Sequence, residues 1–183
     1  MEHFYQNIGE DWFNYPELYK SVVTKFTEGN FVEIGSWKGR SAAYMAVEIF
    51  NSKKNINFYC VDTWKGSLEH EEMDCIKSDS LYEEFLNNIQ PVSDIIKPIR
   101  KSSIEAAKDF EDNFFDFIFI DAAHDYESVK QDLLAWYPKL KKGGVFAGHD
   151  YDPVWGVYNA VNEWSSQFDK PILQQGVCWV HYN

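Results

Sequence analysis

The sequence contains no apolar run long enough to cross a bilayer, and its first residues, Met1-Glu-His-Phe-Tyr-Gln-Asn, lack a basic stretch followed by an apolar one. The expectation is an unexported, cytoplasmic chain with no membrane partner. Cysteine is scarce: Cys60, Cys75 and Cys178 make an odd count without paired spacing, and Cys60 sits inside an apolar run. That pattern excludes a disulfide framework and predicts three reduced thiols, none of them catalytic. Basic residues are outnumbered 17 to 29, for a net charge of -12, and no lysine and arginine cluster is interleaved with aromatics. Such a field repels a phosphate backbone, so nucleic acid is not expected as a partner. There is also no internal repeat and no Pro/Gly/Ser-rich linker. With 183 residues, 45% of them apolar, the chain is predicted to form one domain over 1–183.

What is present is an alternation of short apolar runs and helical stripes. Leu18, Val22 and Phe26 recur every four residues after Pro16 and stop at Gly29, predicting a helix. A strand over Phe31 to Ile34 then runs into a glycine loop, and Ala43, Ala46, Val47 and Phe50 carry the next helix. Further strands are predicted over Ile56 to Val61, Ile95 to Ile99, Phe115 to Ile120 and Val145 to Gly148. Between them lie a helix with Leu81, Phe85 and Ile89 on one face, ended by Pro91, and one with Val129, Leu133, Trp136, Tyr137 and Leu140, ended at Gly143-Gly144. A last helix through Val157, Ala160, Val161, Trp164 and Phe168 precedes two short strands, near Ile172 and over Val177 to Tyr182, joined at Gln174-Gln175-Gly176. Strands alternating with helices predict an α/β, Rossmann-like, doubly wound three-layer sandwich: a mostly parallel seven-stranded sheet closed by an antiparallel C-terminal hairpin.

In an open parallel sheet the ligand sits beyond the carboxyl ends of the strands. Glu33, Gly35, Asp62, Ser102, Ser103, Asp121, His124, His149 and Asp150 all fall at or just after such ends. The loop Glu33-Ile-Gly35-Ser36-Trp37-Lys-Gly39-Arg-Ser41 offers two glycines for a tight turn and close backbone approach, ahead of a helix N-terminus. Asp62 follows Gly39 by 23 residues, near the roughly 20-residue spacing at which an acid meets a ribose. A dinucleotide loop needs three glycines to admit a pyrophosphate, whereas this one has Trp37 between two glycines and Glu33 just before them. A carboxylate there repels a pyrophosphate and suits a cationic amino group.

In order and spacing, Glu33-x-Gly35-x-x-x-Gly39-x-Ser41, Asp62, Ser102-Ser103, Asp121 and His149-Asp150 resemble the class I S-adenosylmethionine-dependent methyltransferases. Within that class the set is most similar to small-molecule O-methyltransferases of the catechol O-methyltransferase type and to macrocin-type sugar O-methyltransferases. The resemblance implies S-adenosylmethionine as cofactor, held by Glu33, Gly35 and Ser41 at its methionine part, Asp62 at the ribose and Ser102 with Ser103 at the adenine edge, with Ser36, Gly39, Thr63 and Asp121 among the cofactor-binding residues. It also implies O-methylation of a sugar or other small hydroxylated acceptor.

Methyl transfer at a sulfonium requires an aligned acceptor whose proton is removed or loosened. In the resembling metal-dependent families, acids after the fourth and fifth strands bind a divalent cation, and here Asp121 and Asp150 hold those places. His149 stands where the families carry an acid or amide, shifting preference from magnesium toward manganese, iron or zinc. The set Asp121, His149 and Asp150 is therefore one reading, and a packed, metal-free strand end is the other. His124, three residues after Asp121, matches the histidine that some sugar O-methyltransferases use as general base, with Asp121 beside it at the mouth. Its alternative is a local hydrogen bond at a helix N-terminus. Phe4, Tyr5, Trp12, Phe13, Tyr15 and Tyr19 within the N-terminal segment 1–29, the stretch Trp64 to His70, and Asp152, Trp155 and Tyr158 are read as substrate cover, as core packing or as homodimer contacts. A nicotinamide-dependent oxidoreductase and a non-catalytic cofactor-binding module remain the competing functions.

Overall fold

The computed structural model describes residues 1–67 and 70–183. Five strands run parallel: β1 (Glu28–Ile34), β2 (Asn55–Asp62), β3 (Ile96–Arg100), β4 (Phe115–Ile120) and β5 (Leu140–Gly148). Two more, β6 (Leu173–Gln175) and β7 (Cys178–Tyr182), form the antiparallel hairpin, with β7 paired to β5. The sheet order is β3-β2-β1-β4-β5-β7-β6. The chain builds outward from β1 to β3, then returns to lay β4 against the other side of β1. That reversal opens a crevice above the carboxyl ends of β1 and β4, as the doubly wound topology requires.

Successive strand residues point to opposite faces, so a nearly all-apolar strand feeds two cores, and a register irregularity between Phe115 and Phe117 puts these two on opposite sides. In β4, Phe117 and Phe119 join Phe31, Phe58 and the helices α1 (Pro16–Lys25), α2 (Arg40–Ser52) and α4 (Leu81–Asn88), whereas Phe115, Ile118 and Ile120 join α5 (Ser103–Ala107), α6 (Tyr126–Trp136) and α7 (Gly156–Ser165). A four-residue helix, α3 (Asp74–Lys77), precedes α4. Neither α3 nor α5 has enough turns to show a periodic stripe, which is why the sequence pattern did not reveal them.

Several boundaries differ from the sequence expectation, among them the last helix, which ends at Ser165 and leaves Phe168 outside it, and the hairpin link, whose Gln174 and Gln175 belong to β6. The helix predicted to run through Leu140 ends at Trp136, because Pro138 in a following 3-10 turn has no N–H to continue it. The Gly143-Gly144 pair accordingly lies inside β5, where Gly143 adopts φ +81°, and does not end a helix. The first strand starts at Glu28, so Gly29 belongs to it and the preceding helix stops at Lys25. Cys60, Cys75 and Cys178 are free and buried. Among the described residues no helix is long and apolar enough to cross a membrane.

Candidate active site

A cleft of about 620 Å³ lies over the crevice, lined by the loops after β1, β2, β3, β4 and β5 and by residues 10–15 of the N-terminal segment. At one end is the glycine loop. Gly35 has φ +89°, and a Cβ there would sit 1.9 Å from the carbonyl oxygen of Asp121. Its freedom therefore serves the approach of β1 to the protein's own β4 end. Gly39, at φ +86°, caps α2, and a Cβ would press on Phe85 and Ile89, so it faces α4 and not the cleft. Asp62 ties the loop down: one oxygen accepts from the amides of Ser36 and Trp37, both at 2.9 Å, and the other from the amide of Trp64 at 2.7 Å. Burial still raises its pKa above the ordinary value, the amides opposing it. Trp37, itself at φ +47°, is held further by its indole to Glu10 at 3.0 Å and by the Trp64 indole to its carbonyl at 2.9 Å.

Glu33 is fully buried beneath this loop and accepts the Tyr19 hydroxyl at 2.6 Å. Burial pushes its carboxyl up to about 7, with the Tyr19 hydrogen bond first among the opposing contributions. Its Oε1 and the Oγ of Ser36, which lines the cleft, are buried and make no close hydrogen bond among the described residues, although the Ser36 and Ser41 hydroxyls lie near enough to the carboxyl to oppose the rise. Unmatched polar atoms under a cleft floor are a demand for a ligand donor, and an ammonium group meets it. Ser41 and Thr63 also line the cleft. Ser103 does so at its β3 side, but Ser102 is spent as the N-cap of α5, accepting the Glu105 amide at 3.4 Å.

The opposite end carries charge. One ligand atom from each of Asp121, His124 and Asp150 lies within 4.8 Å of the others. His124 Nε2 is 3.0 Å from Asp150 Oδ2, and His149 Nδ1 is 3.0 Å from the same oxygen. The Tyr15 hydroxyl donates to Asp121 at 2.9 Å. Burial pushes Asp150 upward, but the hydrogen bonds from His124 and His149 outweigh it and hold this carboxyl well below the usual range. Asp121 is raised by burial, with His149 opposing. For His149 burial acts against the charged ring, yet Asp150 and Asp121 together raise its pKa. Asp150 takes φ +55°, a left-handed conformation rare outside glycine, and so turns its carboxylate back into the cluster.

Asp121, Asp150 and His124 thus form one close group, and His149, expected as a ligand, lies beside it with Nδ1 3.8 Å from Asp121. His149 has its two ring nitrogens on Asp150 and on Asn14 Oδ1, the latter at 3.0 Å. It packs at 4.9 Å against the Tyr15 ring and acts as a brace. Of the N-terminal aromatics, Phe13, Tyr15 and Tyr19 are core, whereas Trp12 is half exposed at the cleft, 5.9 Å from Trp37 and 5.8 Å from His70. Trp155 lines the cleft and packs at 5.2 Å on the His124 ring; Asp152 caps the turn before it. Within the stretch Trp64 to His70, Leu68 and Glu69 lie outside the described residues. Glu10, Asp11, Asn14 and Asp132 escaped the sequence reading, because their partners, Lys38, Arg40, His149 and Ser103, are distant in the chain or sit on another element.

The chain is similar to an uncharacterized protein, y4gI, of Sinorhizobium fredii, with 27% identity over 139 residues covering 76% of this chain. It spans only 15% of that relative's length. Its fold is that of the O-methyltransferase NovP (TM-score 0.69, 18% identity, covering 91% of this chain and 78% of NovP). It is also that of CalS11, a TDP-rhamnose 3'-O-methyltransferase of calicheamicin biosynthesis (TM-score 0.63, 16% identity, covering 91% and 77%). Residues 32–151, which hold the glycine loop, Asp62, Asp121, His124 and Asp150, match the family described as Methyltransferase domain, and the chain belongs to that family.

Proposed function

We propose that this protein is an S-adenosylmethionine-dependent O-methyltransferase acting on a sugar or other small hydroxylated acceptor. The observation that carries the reading is the cleft itself: a glycine loop over unmatched polar atoms at one end and the Asp121, His124 and Asp150 cluster at the other. The methionine part of the cofactor is assigned to Glu33, Ser36 and Ser41, the ribose to Asp62 and Thr63, and the base to the Ser103 side. When bound, the cofactor supplies an electrophilic methyl group on a sulfonium. The chain's own task is to place an acceptor hydroxyl in line with that methyl and to take its proton. His124 is assigned the proton, with Asp150 stabilising the imidazolium at 3.0 Å and Tyr15 fixing Asp121 beside it.

Two carboxylates and an imidazole also fit a divalent cation, and this mixed oxygen and nitrogen set favours manganese, iron or zinc over magnesium. Such an ion, held by Asp121, His124 and Asp150, would lower the pKa of an acceptor hydroxyl. The fold shared with CalS11, a sugar O-methyltransferase, supports a sugar acceptor. Calorimetry tests the cofactor: micromolar binding of S-adenosylhomocysteine is expected, and binding of NAD in its place would sink the reading. Transfer of labelled methyl from S-adenosylmethionine to a panel of sugars, before and after chelation and with manganese or magnesium restored, tests acceptor class and metal. Activity unchanged by chelation removes the metal.

A further inference from the structure

Beyond the cluster and the glycine loop, one buried carboxylate has a direct line to the cleft wall. Asp132 on α6 is 5% exposed, and its Oδ1 accepts the hydroxyl proton of Ser103 at 2.5 Å. One helical turn on, Trp136 donates its indole N–H to the same Ser103 oxygen at 2.8 Å. Ser103 also lines the cleft, as do Lys101 after β3 and Thr63 after β2.

A serine hydroxyl has one proton and two lone pairs. Here the proton is spent on Asp132 and one lone pair on Trp136, so a single lone pair remains for whatever occupies this side of the cleft. The arrangement does not reverse easily. Burial pushes the Asp132 carboxyl up to about 6, which leaves it ionised above neutrality, and an ionised carboxylate only accepts. The Trp136 N–H only donates. Both neighbours therefore force the same orientation on the hydroxyl.

The reacting end of the cleft is the Asp121, His124 and Asp150 cluster, over β4 and β5. A nucleoside attached to the methyl-bearing group must run the other way, across β1 and β2, and it ends at β3, where Ser103 stands. We propose that Asp132 is a positioning residue: by holding the proton of Ser103 it makes this wall an obligate hydrogen-bond acceptor, which selects a nucleobase bearing an exocyclic amino group over one bearing a carbonyl at that position. The inference rests on the cofactor reading above and assigns a source for its base selectivity.

The test uses two ligands that differ at that edge of the base, S-adenosylhomocysteine and S-inosylhomocysteine, whose base carries a carbonyl for the amino group and a proton on the adjacent ring nitrogen, titrated calorimetrically into the whole chain. The wild type is expected to bind the inosine ligand about five- to tenfold more weakly, the factor that one hydrogen bond of typical strength produces. Asp132→Asn keeps the side-chain shape but can donate to Ser103, which frees the serine proton; the preference should fall to within about threefold. Ser103→Ala should lose the preference as well, and adding Asp132→Asn to it should change nothing further. A general loosening of the fold weakens both ligands alike and leaves the ratio where it was. Equal affinity of the wild type for the two ligands, or a wild-type ratio retained in Asp132→Asn, overturns the proposal alone. Failure of the wild type to bind either ligand overturns the cofactor reading, and this inference with it.

Discussion

The two ends of the cleft are built on different principles. At the glycine-loop end the conspicuous residues mostly serve the scaffold: Gly35 makes room for the Asp121 backbone, Gly39 for α4, and Asp62 ties three amides of the chain itself. At the other end the side chains are held by one another, with two histidines sharing one oxygen of Asp150. Backbone preorganisation makes the first end rigid and intolerant of added volume, with the Asp62 carboxylate as its one charged tie. Mutual charge pairing makes the second end tolerant of volume but dependent on each charge.

Substitutions at both ends sharpen or break that contrast. His124→Ala and Asp121→Ala are expected to lower the methyl-transfer rate by about 10² to 10⁴, the range for losing general acid–base assistance, with S-adenosylhomocysteine affinity within a few-fold of wild type. Retained activity in folded His124→Ala removes it as the base. Gly35→Ala should cost about 3 kcal/mol or more in urea denaturation, since its Cβ meets a backbone carbonyl that cannot swing aside. A stability loss below about 1 kcal/mol would show that the β1 and β4 ends are less tightly joined than the geometry indicates. Asp62→Asn leaves one oxygen where two serve three amides, and should destabilise by about 1–3 kcal/mol, mainly through the loop. Hydrogen exchange at Ser36 and Trp37 reads that loss directly.

The remaining effect concerns Glu33 and depends on pH. Its folded-state pKa, about 7, lies above the ordinary 4.5, so between these values the folded chain binds the proton more tightly than the unfolded one. This residue's contribution therefore grows as pH falls from about 7 toward 4.5 and is lost as pH rises through 7. Glu33→Gln, which still accepts from Tyr19, should raise the Tm at pH 8 and leave it nearly unchanged at pH 5. A lower Tm at pH 8 would mean that the ionised carboxylate has a partner the fold does not display.

Much of the architecture was legible because its signals are local. β4 is apolar at every residue but Asp116, Pro16 opens α1, and Gly176 at φ +62° turns the terminal hairpin. The cluster was legible in part: position at strand ends marked Asp121, His124, His149 and Asp150, but which histidine joins the two acids depends on ring directions. His149 keeps Nδ1 against the acids, 3.0 Å from Asp150 and 3.8 Å from Asp121, while its Nε2 meets Asn14, 135 residues earlier, a contact no spacing rule contains. Ser102 and Ser103 are neighbours of identical composition, yet one caps a helix and the other meets Asp132 and the cleft. Two adjacent side chains at a strand-to-helix junction leave in different directions, and only the fold says which faces the ligand.

By itself, then, the sequence determined the alternation of strand and helix, the glycine loop and the strand ends where polar groups collect, because period, turn chemistry and apolar runs act over a few residues. Only the tertiary structure decided that Asp62 and Gly35 also serve the scaffold, that Glu33 is buried with a raised pKa, and that His124 comes to lie with Asp121 and Asp150 while His149 reaches both Asp150 and Asn14. Those outcomes depend on burial and on partners up to more than a hundred residues away, where the free energy of a charge is set by what the fold packs around it.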